Sequence, residues 1–364
     1  MTKIAFLMRY DFEEKGGGDV VQVKSYIPYL QSKGFTCALV DELNSENINE
    51  FDIFILVNID RPVETVNYFD FIIKNAPTKK MFIIPIHHPI DAINRFEKQK
   101  SMLFKVLTLL RPDFYSREKI KNFIRGGKYL KMMPIAFKHI FVKYRKKISE
   151  ILNRVDGVIY ISNGERKSVE VDFDFVSSKY CIAYNAVSIS NNIEINKDDR
   201  PFDVAIVGRV EPRKNQLKSA VALSKTNLKV IFIGPLNSND DKYGIEFKKI
   251  VGKSKKLEYL GNMEHSKVLE YLTQSKILLN ASYFEVNPLV DLEAALCGCG
   301  VVTTKFSYSK ESLPNVIEVD PWDDESIKSG VIKALKIPDI TIKDSYINSS
   351  WDDSAEQIYK LIKE

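Results

Sequence analysis

The chain has 364 residues, of which 45% are hydrophobic and 28% are charged. This composition is typical of a folded enzyme and excludes disorder and collagen, and the length suggests about two domains. No apolar run approaches the ~18 residues of a membrane-spanning helix. The opening run, residues 4–8, meets Arg9 and Asp11 too early for a signal peptide, so we expect a cytoplasmic protein.

Charge is distributed unevenly along the chain. Residues 98–147, here called the basic segment, carry fifteen Lys and Arg against two acidic residues, a net charge of +13. The whole chain is only +5, so the other residues sum to −8. Such a concentrated field suggests an anionic partner, such as a lipid headgroup surface, a charged glycan or nucleic acid.

The four cysteines are too few and too scattered for a disulfide framework. Cys297 and Cys299 have no second Cys or His cluster that would complete a zinc site. We expect all four to be reduced structural thiols: Cys37, Cys181, Cys297 and Cys299.

Short runs rich in Ile, Val and Phe alternate with helical patterns, which is typical of parallel strands joined by crossover helices. They predict two series of strands: 3–8, 36–40, 53–57, 81–86, 157–161 and 181–184, then 203–207, 229–233, 257–259, 277–280, 301–303 and 316–319. Apolar spacing of three and four predicts helices at 214–225, 265–274, 288–297, 323–336 and 351–362. We therefore predict an α/β protein with two doubly wound, Rossmann-like domains.

A polar stretch at residues 188–200 separates the two series of strands and is predicted to be a linker. The predicted domains are 1–187, with a basic helical insertion at about 98–150, and 201–345, followed by a closing helix within 346–364. Doubly wound domains bind ligands at the carboxyl ends of their strands, so we expect the domains to face a central cleft that holds the active site.

Two candidate elements of the first half follow predicted strands. Gly16, Gly17 and Gly18 follow the first strand and open a helix, a loop that lets amides approach a phosphate or an acceptor; the alternative is a flexible turn. His87 and His88 follow the strand at 81–86, where a histidine can bond a sugar hydroxyl, bind a metal together with a carboxylate, or be an ordinary surface or core residue.

The basic segment ends in residues 135–152, where apolar residues recur between lysines and arginines. This pattern predicts an amphipathic basic helix that lies on anionic lipid or steers an anionic acceptor. The alternative is a helix packed on the domain with its cations in water. Nearby, Asp172 and Asp174 form an Asp-x-Asp pair, but it lies between a helix and a strand, so we interpret it as a chance match and assign no metal.

In the second half, Gly208 ends a buried strand and lets another molecule approach the backbone. Arg209 adds a planar guanidinium and Lys214 adds a compact ammonium group, a combination suited to a diphosphate. The alternative is that Arg209 pairs with Glu211 and that Lys214 is merely solvated.

The most informative stretch is residues 284–298. Pro288 suits the first turn of a helix, which leaves Glu285 in the preceding loop and Glu293 about a turn and a half into the helix. A helix N-terminus offers amide donors to a ligand, and Glu293 can accept hydrogen bonds from a vicinal diol. The alternative is that both carboxylates are ordinary solvated charges.

Together, the two stretches resemble the retaining GT-B glycosyltransferases of the group 1 type, family four. That family carries a Glu-x7-Glu motif, matched by Glu285 and Glu293, and an Arg–Lys pair, matched by Arg209 and Lys214. The turn at 185–187 also resembles the family's Asn-Gly-Val signature, although Ala186 replaces the glycine.

The resemblance implies that Glu293 binds the ribose hydroxyls of the donor and that no metal is required. It implies that Glu285, with Asn287, Pro288 and Leu289, neighbours the donor sugar, Pro288 contributing only its carbonyl and shape. Gly16–Gly18 correspond to a family glycine pair in the cleft. His87 matches the family's site histidine better than His88 does.

We therefore expect a metal-independent, retaining hexosyltransferase that uses a UDP- or GDP-linked sugar and no cofactor. The expected acceptor is a glycan or lipid-linked molecule of a bacterial surface polysaccharide, and the enzyme is expected to be peripheral to the inner face of the membrane. The alternatives are an epimerase or hydrolase of nucleotide sugars with this fold, and a non-catalytic partner subunit. Nucleic acid is not expected, because the aromatic residues of the basic segment follow helical spacing.

Overall fold

The computed structural model describes residues 1–100, 106, 108–110, 113–128, 133–187, 200–237, 241–337 and 350–364. The chain divides into two compact units, one of Met1–Asn185 with Ser349–Glu364 and one of Ala186–Asn348. Of the predicted linker, only Arg200 lies within the described residues. Its guanidinium donates to the carbonyl oxygens of Gly298 (2.6 Å) and Ser275 (3.0 Å), which fixes the start of the second unit's first strand.

The first unit is built on a six-stranded parallel sheet in the order β2-β1-β3-β4-β5-β6. Val, Ile, Leu and Phe side chains dominate its central strands and are buried, as expected for a sheet covered on both faces. Its strands are β1 Lys3–Leu7, β2 Thr36–Val40, β3 Ile53–Val57, β4 Lys80–Ile84, β5 Gly157–Tyr160 and β6 Tyr180–Ile182.

Helices connect these strands, and their ends carry recognisable signals. Pro62 opens one helix, where a missing amide hydrogen costs nothing, and the Ser162 hydroxyl caps another by accepting from the Glu165 amide. The helices of this unit are Phe12–Lys15, Gly18–Ser32, Pro62–Asn75, Ile90–Lys100, Phe114–Lys128, Met133–Lys138, Tyr144–Arg154, Asn163–Phe173 and Trp351–Lys363.

The second unit has a six-stranded parallel sheet in the order β12-β11-β10-β7-β8-β9. This is the doubly wound dinucleotide-binding order, in which the direction of winding reverses between β7 and β10. Its strands are β7 Phe202–Val207, β8 Val230–Ile233, β9 Leu257–Gly261, β10 Ser275–Asn280, β11 Gly300–Thr304 and β12 Ile317–Val319. Its helices are Gln216–Ser224, Asp241–Val251, His265–Thr273, Leu289–Leu296 and Asp324–Ala334.

All of the predicted strands are present, as are the five helices predicted outside the basic segment, so the predicted α/β class is confirmed. The continuous helix predicted over 135–152 is wrong, because a turn at His139–Lys143 separates Met133–Lys138 from Tyr144–Arg154. None of the described helices is long and apolar enough to cross a bilayer. The four cysteines are free thiols.

Candidate functional site

Two loops of the second unit leave β7 and β10 at the edge where the strand order reverses. Gly208 follows β7 at φ +137° and donates its amide to the carbonyl of Ile233, 2.8 Å away. A Cβ added to Gly234, at the end of β8, would lie 2.2 Å from the Gly208 oxygen. The ends of β7 and β8 thus approach each other as closely as only glycine permits.

The predicted Lys214 and Glu285 come together between these loops. Lys214 Nζ lies 2.6 Å from Glu285 Oε1, and Arg213 donates to the same oxygen at 3.2 Å. Burial lowers the pKa of Arg213, but Glu285 and Glu211 outweigh it, so the net shift is upward and the side chain stays cationic. Arg209 is partly exposed and lies 3.8 Å from Glu211, so the carboxylate cluster engages Arg213 more closely than Arg209.

Asn215 anchors the β7 loop against the β10 loop. It is buried, adopts the left-handed conformation at φ 62°, and opens the helix Gln216–Ser224. Its side-chain amide donates to the carbonyls of Ala281 (3.0 Å) and Pro321 (2.8 Å). The Tyr283 amide also donates to Arg213 O at 2.9 Å, so the two loops are built as one structure.

The helix Leu289–Leu296 begins directly after Pro288, which precedes the first helical residue instead of lying in the first turn. Asn287 is buried beside it. Glu293 lies in the helix, as predicted, and its Oε1 is 2.7 Å from Nε2 of His265, at the start of the neighbouring helix. The bond to Glu293 raises the pKa of His265.

Asp291 fixes the start of this helix. Its carboxylate accepts from the Asn280 amide and the Ser309 hydroxyl, both at 2.8 Å. Burial raises its pKa to about 6. Sequence reasoning missed Asp291, because its role depends on partners from β10 and from the turn at Ser309–Glu311.

In the first unit, the glycine loop precedes the helix Gly18–Ser32 as predicted, after a short helical turn at Phe12–Lys15. Arg9 spans the loop and was not predicted. Its guanidinium bonds Asp19 (2.8 Å) and Asp11 (2.7 Å), and it also donates to the carbonyl of Gly16. The loop is therefore braced by a partly buried ion-pair network.

His87 is fully buried at the end of β4, and both of its ring nitrogens face carboxylates. Nδ1 lies 2.7 Å from Asp60 Oδ1, and Nε2 lies 2.9 Å from Asp172 Oδ2. Burial alone lowers the pKa of His87, but the two carboxylates outweigh it and raise the pKa to about 10. His87 is thus an enclosed imidazolium, which argues against the predicted direct contact between its ring and a sugar.

His88 is the half-buried member of the pair. Its Nδ1 and its backbone amide both lie 2.9 Å from the second oxygen of Asp60. One carboxylate therefore orients both histidines. Asp172, interpreted from the sequence as part of a chance metal motif, is the partner of His87, and Asp174 is exposed.

The structure thus brings Gly208, Lys214 and Glu285 together in the second unit, with Arg209, Asn287, Pro288, Leu289 and Glu293 on the same two loops and helix start. Gly16–Gly18 and His87 follow two strand ends of the first unit. Across the described residues, no group of three or more His, Cys, Asp or Glu is arranged to hold a metal ion. Arg213 was missed although it adjoins Lys214, and Asn215 could have been recognised as a residue that tolerates positive φ before a helix.

Comparison with known proteins was made by sequence and by structure. Residues 189–361 match the family model described as glycosyl transferases group 1. A curated relative from Saccharomyces cerevisiae, the phosphatidylinositol N-acetylglucosaminyltransferase GPI3 subunit, is 24% identical over 59% of this chain and 50% of its own length. The chain therefore spans about half the length of this relative.

Solved structures resemble the whole chain, among them the following two. Sucrose-phosphate synthase from Thermosynechococcus elongatus has a TM-score of 0.65 at 11% identity and covers 99% of this chain and 95% of its own. HepE from Anabaena, solved with UDP, has a TM-score of 0.59 at 12% identity and covers 100% and 97%. At these identities the likeness concerns the fold, and it confirms the predicted GT-B class.

Proposed function

From the match of residues 189–361 to the group 1 glycosyltransferase family, we propose that this chain transfers a sugar from a nucleoside-diphosphate donor to an acceptor hydroxyl. The observation that carries the proposal is the contact of Lys214 and Arg213 with Glu285 at the switch point of the second sheet. Ligands of doubly wound sheets bind at this edge. A cluster of cations there suits a diphosphate.

Each site residue has a proposed role. Lys214 and Arg209 hold the diphosphate, whose close approach the backbone at Gly208 permits. Glu293, a half-buried carboxylate about one turn into the helix Leu289–Leu296, accepts hydrogen bonds from the ribose diol. Glu285, the amides of Asn287 and Leu289, and the carbonyl of Pro288 neighbour the donor sugar.

The first unit is proposed to contribute Gly16–Gly18 and one histidine. Because the His87 ring is enclosed by two carboxylates, we propose that His88 contacts the ligand and that His87 supports it from behind. Asp60, which bonds both rings, would then be a positioning residue for the pair.

The proposed reaction retains the anomeric configuration, as in family four, and uses no metal ion. The bond from the anomeric carbon to the diphosphate oxygen breaks, and a bond to the acceptor oxygen forms on the same face. The acceptor proton passes to the leaving diphosphate oxygen. Lys214 and Arg209 stabilise the negative charge that develops on the diphosphate, the largest electrostatic demand of the step.

A lipid-linked acceptor is the form of the proposal that the curated relative supports, since its name specifies phosphatidylinositol as the acceptor and N-acetylglucosamine as the sugar. That relative is a yeast protein, so it lends no support to the expected role in bacterial surface polysaccharide. We propose UDP or GDP as the donor nucleotide, with UDP-N-acetylglucosamine as the first donor to test.

The test is a thermal-shift panel with UDP, GDP, CMP, ADP and their sugars, followed by turnover with a lipid acceptor. One nucleoside diphosphate should raise the unfolding temperature, because it binds only the folded state. Lys214→Ala and Glu293→Ala should each weaken binding of that nucleotide roughly tenfold, equivalent to ~1.4 kcal/mol. Lys305→Ala is the matched control, because Lys305 forms an exposed pair with Asp320 in the same unit.

Three results would contradict the proposal. An unchanged nucleotide affinity in Glu293→Ala would remove that residue from the ribose role. Conversion of the donor without any acceptor would indicate an epimerase or hydrolase. Nucleotide binding without turnover on any acceptor, or no binding at all, would favour a non-catalytic partner subunit.

A further inference from the structure

The helix Tyr144–Arg154 does not present an apolar face to lipid. Its apolar residues Tyr144, Ile148, Ile151 and Leu152, four of the six on which the amphipathic prediction rested, are all buried. Lys147 reaches Asp70 at 2.9 Å, and the helix packs against Pro62–Asn75. Any surface that recognises a membrane must therefore be formed by other residues of the basic segment.

The apolar side chains that the basic segment does expose lie at the turn that precedes this helix. Phe141 is 92% exposed and Phe137 is 58% exposed, and Ile140 is also exposed. We call residues Phe137–Lys143 the phenylalanine turn. Two phenylalanines and an isoleucine exposed within five residues are more than the scattered apolar exposure that is normal for a protein surface.

The phenylalanine turn has a defined structure. Lys119 donates from Nζ to the carbonyl of Ile140 at 3.0 Å, and the Val142 amide donates to His139 O at 3.1 Å. His139 is buried, and its Nδ1 lies 3.3 Å from the Tyr144 hydroxyl. Phe141 is thus presented on a turn anchored by the Lys119 hydrogen bond on one side and by the buried contact of His139 with Tyr144 on the other.

The charge around the turn is mostly positive, and the carboxylate of Asp70 is paired with Lys147 at 2.9 Å. Residues 119–149 contain ten Lys and Arg and no Asp or Glu, and Lys138, Lys143 and Lys146 are exposed beside the phenylalanines. Lysine is depleted in protein–protein interfaces. Phenylalanine surrounded by lysine is, in contrast, the composition of elements that lie in the headgroup region of anionic bilayers.

We propose that the phenylalanine turn docks this protein on an anionic lipid bilayer. Phe141 enters the boundary between headgroups and acyl chains, and Lys138, Lys143 and Lys146 lie among the phosphate groups. The charge complementarity of this mostly positive surface selects a membrane over a second copy of this chain, which carries the same positive charge here. The proposal goes beyond glycosyl transfer and does not depend on it.

The experiment is co-sedimentation of the whole protein with vesicles of phosphatidylcholine, with and without phosphatidylserine, at increasing salt. We expect binding only to the anionic vesicles, and weakening with salt, because surface charge is screened. Phe141→Ser should weaken binding at least tenfold, and Lys143→Glu with Lys146→Glu should weaken it further. The controls are Val176→Ser, at an apolar residue of the same unit that is 82% exposed, and Lys253→Glu in the second unit; both should bind like the unmodified protein.

A second measurement tests insertion itself. Phe141→Trp should show a blue-shifted emission on anionic vesicles, because an indole at that position leaves water. Equal binding to neutral vesicles, unchanged binding by Phe141→Ser, or no blue shift would overturn the proposal. Self-association that is lost in Phe141→Ser, with no vesicle binding, would identify a second copy as the occupant and would also overturn it.

Because each substitution is at an exposed side chain, its unfolding temperature should match that of the unmodified protein. Nucleotide binding should also be unchanged in all of these variants. Failure of vesicle binding with intact nucleotide binding would thus refute this inference alone, and the reverse pattern would refute only the proposed function.

Discussion

The carboxylate of Asp60 contacts the rings of two histidines. Its Oδ1 bonds His87 and its Oδ2 bonds His88, while Asp172 closes the other side of the His87 ring. Glu165, also buried, accepts a hydrogen bond from the backbone amide of His87. The pKa of His87, at about 10, lies above the ordinary value of 6.5. Its protonation therefore stabilises the fold fully below pH 6.5, and that contribution is lost as the pH rises through about 10.

This cluster predicts how the histidines titrate. The chain has four histidines, so their ring resonances can be resolved and assigned by single substitutions. His87 should stay protonated up to about pH 10, whereas His139, which burial and nearby lysines keep neutral, should titrate at about pH 4. Asp60→Asn should move the His87 titration downward by more than one pH unit, because an opposite charge within ~4–6 Å favours the charged form.

Asp174→Asn is the matched control, since Asp174 ends the same helix as Asp172 but is exposed. It should leave the His87 titration where it is. If His87 titrates near pH 6.5 in the unmodified protein, or if both substitutions shift it equally, the ion-pair description of this site is wrong.

At the scale of elements, the site depends on how strand ends are joined. Asn215 is the residue that joins the loops after β7, β10 and β12, by two buried hydrogen bonds and a left-handed backbone. Non-glycine residues with branched or apolar side chains avoid this conformation, which costs them ~1–2 kcal/mol. Asparagine thus supplies both the permitted backbone and the amide that bonds the other loops.

Asn215→Ala should lower the free energy of unfolding of the second unit by roughly 2–4 kcal/mol, through backbone strain and two lost hydrogen bonds. Asn215→Gly removes the same bonds but adopts positive φ, so it should be about 1 kcal/mol less damaging. Urea unfolding of both variants measures the difference. Equal losses would show that strain has no part in the role of Asn215.

The same scale explains what could be predicted from the sequence. Strands such as β3 and β8 are continuous apolar runs that fit only a doubly covered sheet, so their positions follow from composition and spacing. The loops after β7 and β10 follow too, because glycine and proline mark their ends. The approach of Lys214 to Glu285 does not follow, since it depends on which strands become neighbours.

Two features that could not be predicted from the sequence have a common physical origin. The helix predicted over 135–152 has unbroken apolar periodicity, yet the chain turns at His139–Lys143 because His139 is buried and Lys119 binds Ile140 O. The enclosure of the His87 ring by Asp60 and Asp172 was not predicted either. In both cases the partners are distant in sequence, and local pattern carries no information about them.

At the scale of the whole molecule, the first unit takes its last helix from the end of the described chain. Trp351–Lys363 packs on Gly18–Ser32, with Tyr26 and Trp351 rings 5.7 Å apart and Phe35 and Tyr359 rings 6.0 Å apart. A Cβ added to Gly157 in β5 would lie 3.1 Å from the side chain of Leu361, so this helix also covers the sheet. The Ser350 capping box starts it.

Ile358→Ala should therefore weaken the first unit alone. The side chain is fully buried in Trp351–Lys363, and such a truncation costs roughly 2–5 kcal/mol. Hydrogen exchange should accelerate in peptides from β1, β2 and Gly18–Ser32 and stay unchanged in peptides from β7 and β8. Val331→Ala, fully buried in Asp324–Ala334, should give the opposite pattern. Uniform acceleration across both units would show that they unfold as one.

The position of Trp351–Lys363 also bears on how the protein is made. The ribosome releases the first sheet before it synthesises the 163 residues Ala186–Asn348, and the helix that covers Gly18–Ser32 emerges only afterwards. At 5–20 residues per second this interval is roughly ten to thirty seconds, far longer than a typical domain needs to fold. During this interval Tyr26 and Phe35 lack the aromatic partners that Trp351–Lys363 provides. We therefore expect chaperones to bind most strongly to nascent chains that are stalled before residue 350.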